Sequence, residues 1–168
     1  IVEVPGPDGF VVPDPQAVRR MGLSFDAAML ANPAFPTSRL LARQTLLDYL
    51  QACAWVIVDE RGIDLTFGGE STATIIDEHS NLIVIRSLTD TFSLPGMPLS
   101  CALAHPAVAS RISQIAKRPA SAALSARLLK LATPDHHLER AREVLETEIP
   151  WMQCMLSLVP GISIYPAE

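Results

Sequence analysis

Residues 81–104, NLIVIRSLTDTFSLPGMPLSCALA, contain the strand around which the rest of the chain is arranged. Residues 82–85 form a continuous apolar run of strand length, and polar Arg86 and Ser87 follow it. An unbroken apolar run this short is typical of a strand that is buried on both faces, as in a parallel sheet. The loop after the carboxyl end of such a strand is where open α/β sheets place their ligand sites. The stretch therefore predicts a central strand and the position of a candidate site.

Strand-like and helix-like patterns alternate on the amino-terminal side of this stretch. Residues 23–31 and 55–58 predict further strands, whereas leucines at helical spacing predict a helix over residues 39–53. Thr37 or Ser38 is expected to cap that helix. The series favours an α/β fold with a mainly parallel open sheet and helices on both faces.

The remaining patterns are mostly helical. Residues 71–78, just before the central strand, predict a short helix at most, and residues 99–104 predict another strand. Helices are predicted over residues 107–116, 121–131 and 134–158. Pro150 should end or kink the last of them, because proline removes an amide donor and clashes with the preceding turn. Short strands are also expected at the two ends of the chain, over residues 1–4 and 162–165.

Composition excludes several classes of function. The chain has 168 residues, 49% of them hydrophobic, and a formal net charge of −5, which argues against nucleic acid as a partner. No apolar stretch reaches membrane-spanning length, so no membrane partner is expected. The cysteines, Cys53, Cys101 and Cys154, have no metal-ligand spacing and are expected to be buried free thiols in a reducing cytoplasm. No signal-peptide pattern follows Ile1, which favours an excised domain.

Four motifs, in order along the chain, carry a resemblance to a known family. They are NPAFPTS at 32–38, VIVDE at 56–60, the RSLTD and LPG segments within 86–99, and a long helical pattern ending in a strand over 141–168. Together they resemble the class I/II pyridoxal-phosphate (PLP) aminotransferases, especially histidinol-phosphate aminotransferase and threonine-phosphate decarboxylase. The chain looks like a truncated and degenerate member of that family.

The resemblance implies a domain organisation and a strand order. Residues 1–133 would be part of the large, PLP-binding domain, and residues 134–168 would be the connecting helix and the start of the small domain, packed as one compact unit. The four strands would lie in sequence order, with the last one antiparallel. The connections after the first and second strands would cover one face of the sheet, and the helices after Pro106 would have to cover the other.

The resemblance also assigns roles to individual positions. Asp59 is at the position of the carboxylate that pairs with the pyridinium nitrogen, and Ser87 could hold a phosphate through its hydroxyl group. Both are predicted as vestigial cofactor-binding residues. Asp90 is at the position of the lysine that forms the Schiff base, and Pro98 replaces a phosphate-binding arginine. Phe35 replaces the asparagine that contacts the ring hydroxyl group.

Structural roles for the same charged residues remain open. Asp59 could instead cap a loop or pair with Arg61 or Arg86, and Arg86 is expected to pair with Asp59 or Asp90. Ser87 is equally explained by a turn or capping role.

The lost lysine leads to the functional prediction. Aspartate has no nitrogen with which to form an imine, so no catalytic residue and no bound cofactor are expected. No metal is expected either, because the cysteines and histidines lack metal-ligand spacing. The chain is predicted to be an aminotransferase-like domain that has lost PLP catalysis and acts as a non-catalytic interaction or structural domain. One alternative is a component of a PLP-dependent aminotransferase or decarboxylase that another chain or domain completes. Another is a binder of a small phosphate or amino-acid ligand. Unpaired sheet edges predict a homodimer or a protein partner.

Overall fold

Four strands in the described part of the chain form one sheet in the order in which they occur in the sequence. The computed structural model describes residues 11–89, 91–94, 96, 99–116, 123–124, 127, 130 and 134–164. The strands are β1 (Ala27–Ala31), β2 (Trp55–Asp59), β3 (Leu82–Ser87) and β4 (Ser100–Ala104). The first three are parallel, and β4 is antiparallel to β3. The predicted α/β class, strand order and reversed last strand are confirmed.

Helices connect and follow these strands. They are α1 (Pro15–Arg20), α2 (Arg43–Ala52), α3 (Pro106–Ile115) and α4 (Pro134–Ser157), with short 3₁₀ turns at Ile63–Leu65 and Thr72–Ile75. Pro150 lies inside α4 and does not end it, because the loss of one amide donor leaves the flanking turns intact on an exposed helix. Residues 162–164 are not a strand. Residues 1–4 and most of 121–131 lie outside the described residues.

The start of α2 differs from the prediction. Thr37 and Ser38 do not cap the helix, which begins only at Arg43 and has no side-chain cap. The residues before it form a loop instead, because the buried Asn32 side chain accepts a hydrogen bond from the Leu41 amide (3.0 Å). A tertiary contact at the end of β1 therefore delays the helix.

One face of the sheet, called the α2 face, is well covered. Its strand residues are Leu30, Val56, Val58, Leu82 and Val84, which form the core cluster with side chains from α2 and from the turn at Thr72–Ile75. Val56, Val58, Leu82 and Val84 have no solvent exposure. Both crossover connections lie on this face, as the right-handed rule predicts.

The opposite face, called the open face, is only partly covered. Its larger side chains are those of Met29, Trp55, Ile57, Asp59, Ile83 and Ile85, which the strand register places side by side. Met29 is 66% exposed, and the three isoleucines are half-buried. α3 has no buried residue, and most of β4 is exposed on both faces. The helices after Pro106 were expected to cover this face. In the described residues they leave it largely exposed.

The three cysteines differ in burial, as the two faces of the sheet do. Cys53 is buried at the end of α2, and burial raises the pKa of its thiol. Cys101 on β4 and Cys154 on α4 are exposed, so the expectation that all three are buried is wrong for these two. No helix within the described ranges is long and apolar enough to cross a membrane.

Candidate functional site

Asp59 is the last residue of β2 and lies on the open face at the carboxyl edge of the sheet. Its side chain is 14% exposed, and Arg61 contacts both of its oxygens. The Arg61 Nε atom lies 3.0 Å from Oδ1 and 2.9 Å from Oδ2, and Nη2 lies 2.8 Å from Oδ2. Of the two partners that the sequence left open, the structure selects Arg61.

Ser87 ends the neighbouring strand, β3, on the same face as Asp59. The residue is buried, and its carbonyl oxygen accepts a hydrogen bond from the Thr91 hydroxyl group (3.4 Å). The structure therefore places the two predicted cofactor-binding residues at one edge and on one face of the sheet. Whether either binds a cofactor stays a prediction.

The loop after β3 is held by hydrogen bonds between residues at its two ends. The Leu88 amide donates to the Leu99 carbonyl oxygen (2.7 Å), and the Leu99 amide donates to the Thr89 hydroxyl group (3.2 Å). Both ends of the loop are thereby joined just before β4 begins. Asp90 and Pro98, the positions of the family lysine and arginine, lie outside the described residues.

The loop after β1 carries the third position of the resemblance. Phe35 is 96% exposed, although phenylalanine is usually buried. Asn32, in the same loop, is 2% exposed. Its side-chain amide donates a hydrogen bond to the Glu60 carboxylate, with 3.5 Å between Nδ2 and Oε1. The loop thus has a buried polar anchor and an exposed aromatic tip.

A buried hydrogen-bond network around the Glu60 carboxylate lies on the α2 face, next to Asp59 in the sequence. The sequence did not predict it. Glu60 has no solvent exposure. It accepts hydrogen bonds from the Ser71 hydroxyl group (2.6 Å), the Thr72 amide (2.6 Å) and the Thr72 hydroxyl group (2.8 Å). The signal available in the sequence was the pair of hydroxyl residues at 71–72 together with Arg86 at the end of the next strand.

Arg86 belongs to this network, so its expected pairing with Asp59 is wrong, whereas the alternative pairing with Asp90 lies outside the described residues. Its Nη1 atom lies 3.7 Å from Glu60 Oε2, and its Nη2 atom pairs with the Asp64 carboxylate. Side chains alternate along a strand, so Arg86 lies on the α2 face, whereas Asp59 lies on the open face. Its buried Nε atom has no hydrogen-bond partner in the described structure.

The first half of α4 is attached to this region. The His137 ring lies 2.8 Å from the Thr91 carbonyl oxygen and stacks on Phe92 with 5.5 Å between ring centroids. Arg142 donates from Nε and Nη2 to the Asp64 carbonyl oxygen (3.2 and 3.1 Å). α4 is therefore held against the loop that contains position 90.

Other candidate sites are weaker. A cavity of about 250 Å³ lies between α2 and the turn at Thr72–Ile75, and it is lined partly by Arg43 and Glu70. It is on the α2 side of the sheet, and Asp59 is not among the residues that line it. The described residues contain no cluster of three or more side chains able to hold a metal ion.

Comparison with known proteins establishes the family. The sequence model described as aminotransferase class I and II matches residues 26–153, so the chain belongs to the class I and II aminotransferase family. Histidinol-phosphate aminotransferase from Thermococcus kodakarensis is 28% identical over 148 residues, which cover 86% of this chain and 43% of that enzyme. The chain thus spans less than half the length of this relative.

Solved structures show the same fold. The structure of histidinol-phosphate aminotransferase from Clostridium acetobutylicum matches with a TM-score of 0.78 and 18% identity, covering 96% of this chain and 50% of that one. A C–S lyase from Staphylococcus hominis matches with a TM-score of 0.63 and 19% identity, covering 79% of this chain and 36% of that one. The lyase structure contains PLP.

These comparisons correct the expectation that no cofactor is involved. The expectation that this chain binds no cofactor is contradicted, because the members of its family are PLP-dependent and the lyase structure contains PLP. The expectation rested on three family positions, Asp90, Pro98 and Phe35, each of which affects a single contact to the cofactor. A missing amine removes the covalent link to a cofactor, but ring and phosphate contacts are separate interactions.

The Asp59 side chain fits the group that the family uses. A carboxylate that is mostly shielded from water and lies at the carboxyl end of a parallel strand is suited to an ion pair with a protonated ring nitrogen. Position 90 is an aspartate and offers no amine for a covalent bond.

Proposed function

We propose that this chain binds the pyridine ring of PLP without a covalent link, as the part of an aminotransferase-family protein that carries Asp59. Within that protein it acts as a non-catalytic structural and interaction domain, and further polypeptide completes the site. The observation that carries the proposal is the Asp59 carboxylate, largely buried on the open face at the end of β2. PLP, when bound, supplies an electron sink for chemistry on amino acids.

Arg61 competes with a ring nitrogen for the Asp59 carboxylate, so it affects the affinity of Asp59 for that ligand. Arg61 contacts both carboxylate oxygens, but its side chain is 65% exposed. An ion pair with one solvent-exposed member contributes only about 0–1 kcal/mol, because water screens the charges and two side chains must be ordered. The ion pair with Arg61 therefore opposes a ligand at Asp59 only weakly.

The lysine content supports the absence of a covalent link. Lys117 and Lys130 are the two lysines of the chain, and both are far in sequence from the loop after β3. Lys130 is exposed. Because position 90 is an aspartate, the chain lacks the lysine that the family uses to exchange with an amino-acid substrate, so we expect no transamination by the chain alone.

The test uses two ligands on the purified chain. Pyridoxamine phosphate has no aldehyde, so a rise in melting temperature reports non-covalent binding alone. Asp59→Asn should remove most of that rise, whereas Asp77→Asn, an exposed aspartate on the connection before β3, should leave it unchanged. Arg61→Ala should strengthen binding by up to about fivefold, since it frees the carboxylate.

PLP itself tests the covalent part. After borohydride reduction, mass spectrometry should find no stoichiometric adduct on a single lysine. A reducible adduct at one specific lysine would overturn the loss of the covalent link. Equal thermal shifts for the wild type and Asp59→Asn would overturn the role of Asp59.

Three further expectations stay predictions. They are a cytoplasmic location, a homodimeric state, and binding of a small phosphate or amino-acid ligand. The division at residues 133 and 134 into two family domains is also untested by the structure.

A further inference from the structure

We propose that the cavity on the α2 face binds a small α-amino acid with an apolar side chain, at a site separate from Asp59. The proposal goes beyond the proposed function and does not depend on it. The cavity measures about 250 Å³ and lies between two walls, the start of α2 with the loop before it and the segment from Gly68 to Ile75. Drug-sized ligands occupy pockets of about 300–1,000 Å³, so this volume suits a smaller molecule.

Two opposite charges line the cavity and are not paired with each other. Arg43 belongs to the first wall and Glu70 to the second. Among the residues that the structure describes, neither charged side chain has a hydrogen-bond or ion-pair partner. A ligand that carries both a carboxylate and an ammonium group can contact both charges at once. A phosphate would instead be repelled by Glu70.

The other polar groups of the two walls match this polarity. α2 begins at Arg43 without a side-chain cap, so the first amide groups of the helix are donors suited to a carboxylate. On the second wall, the Thr72 hydroxyl group donates to Glu60 (2.8 Å). The Thr74 hydroxyl group donates to the Ser71 carbonyl oxygen (3.0 Å). The two threonine oxygens are therefore left as acceptors, which suit an ammonium group.

Apolar side chains complete the lining and favour a ligand with an apolar side chain of its own. Leu41, Leu46 and Ile75 line the cavity, and the last two are buried core residues. Burial of aliphatic ligand atoms against them is favourable, because it removes apolar surface from water. L-leucine therefore carries the three groups for which the cavity offers contacts.

The second wall is held in one position, so the cavity exists before a ligand binds. A Cβ atom added at Gly69 would lie 2.2 Å from the Thr66 hydroxyl oxygen, so the backbone is packed too closely there for a larger residue. Two residues later, the Ser71 hydroxyl group donates to the buried Glu60 carboxylate (2.6 Å). A preformed site avoids the cost of ordering a loop on binding.

The test titrates L-leucine into the purified chain and follows backbone amide and arginine side-chain signals by NMR. Signals of the two walls should shift, with a dissociation constant on the order of 1 mM, as expected for so small a ligand. Three analogues each lack one group. Leucinamide lacks the carboxylate, isocaproate lacks the ammonium group, and glycine lacks the apolar side chain. Each should bind about fivefold more weakly or worse.

Two charge-removing variants test the assigned contacts. Arg43→Gln and Glu70→Gln should each weaken L-leucine binding by about fivefold or more, since each removes one charged partner. Arg111→Gln and Glu78→Gln are the matched controls, because both residues are exposed and neither lines the cavity. The controls should bind L-leucine within about twofold of the wild type. All four side chains are exposed, so the melting temperatures should stay nearly unchanged.

Four results would overturn the proposal. The first is the absence of any shift in the wall signals at about 10 mM L-leucine. The second is equal binding of leucinamide or isocaproate, which would mean that the cavity does not recognise both charges. The third is tighter binding of inorganic phosphate than of L-leucine, which would make the cavity an anion site. The fourth is loss of binding in Asp59→Asn but not in Arg43→Gln, which would place the ligand at Asp59.

Discussion

Val58 and Ile57 are adjacent in β2 and are both β-branched, yet the structure treats them differently. Val58, on the α2 face, has no solvent exposure and packs in the core cluster. Ile57, on the open face, is half-buried beside the exposed Met29. Side chains of the same kind therefore contribute different amounts to stability, because burial depends on what the other elements cover.

The largest expected effect tests this difference directly. Leu82→Ala on the α2 face should lower the free energy of unfolding by about 3 kcal/mol, because it leaves a cavity in a packed core. Met29→Ala on the open face should cost about 0.5 kcal/mol or less. Urea unfolding of the two variants measures both values. A similar loss for both would show that the two faces are equally packed.

A smaller effect is expected from the buried network on the α2 face. Glu60→Ala should cost about 2–3 kcal/mol, because it leaves the Thr72 amide without its acceptor and removes one of the two carboxylates that pair with Arg86. Glu60→Gln should cost less, since its carbonyl oxygen can still accept from Thr72. Glu78→Ala, at an exposed position, is the control for urea unfolding. Equal stability of the Glu60→Ala and Glu78→Ala proteins would contradict a stabilising network.

The smallest effect concerns alkaline pH. Burial, followed by the nearby Cys53, raises the pKa of Tyr49 above 10, and its hydroxyl group donates to the Pro13 carbonyl oxygen (2.9 Å). The folded state therefore favours the neutral phenol. This stabilisation is complete below pH 10 and is lost as the pH rises through the folded-state pKa.

Tyr49→Phe should remove that part of the pH dependence. The variant should be about 1 kcal/mol less stable at pH 7, because it lacks the hydrogen bond to Pro13, and the gap should narrow above pH 10. Urea midpoints measured between pH 8 and 11 give the comparison. A gap that stays constant over this range would argue against ionisation of Tyr49 as its cause.

Much of the fold was predictable because its signals are local. The apolar run at 82–85 and the leucines of α2 specify a strand and a helix through side-chain periodicity, and the structure has both. The order of the four strands came from the resemblance and is confirmed. The cap of α2 was not predictable, because Asn32 and Leu41 form a contact that local propensity does not contain.

The site was only partly predictable for the same reason. Asp59 at the end of a strand was found from its motif, and its pairing with Arg61 involves a residue two positions away. Glu60 was missed, because its burial depends on Ser71, Thr72 and Arg86, which are brought together only by the crossover and by β3. A carboxylate with no exposure is rare, and no pattern around residue 60 indicates one.

The sequence by itself determined the family, the parallel core strands, the place of Asp59 and the aspartate at position 90. Each of these four features depends on residue types that are close together in the sequence, within one strand, helix or loop. Only the tertiary structure decided that Arg86 pairs with Glu60 and Asp64, and that one face of the sheet is packed while the other is open. Ion pairing and burial depend on distances between residues that are far apart in sequence, and those distances are set only when the strands have assembled.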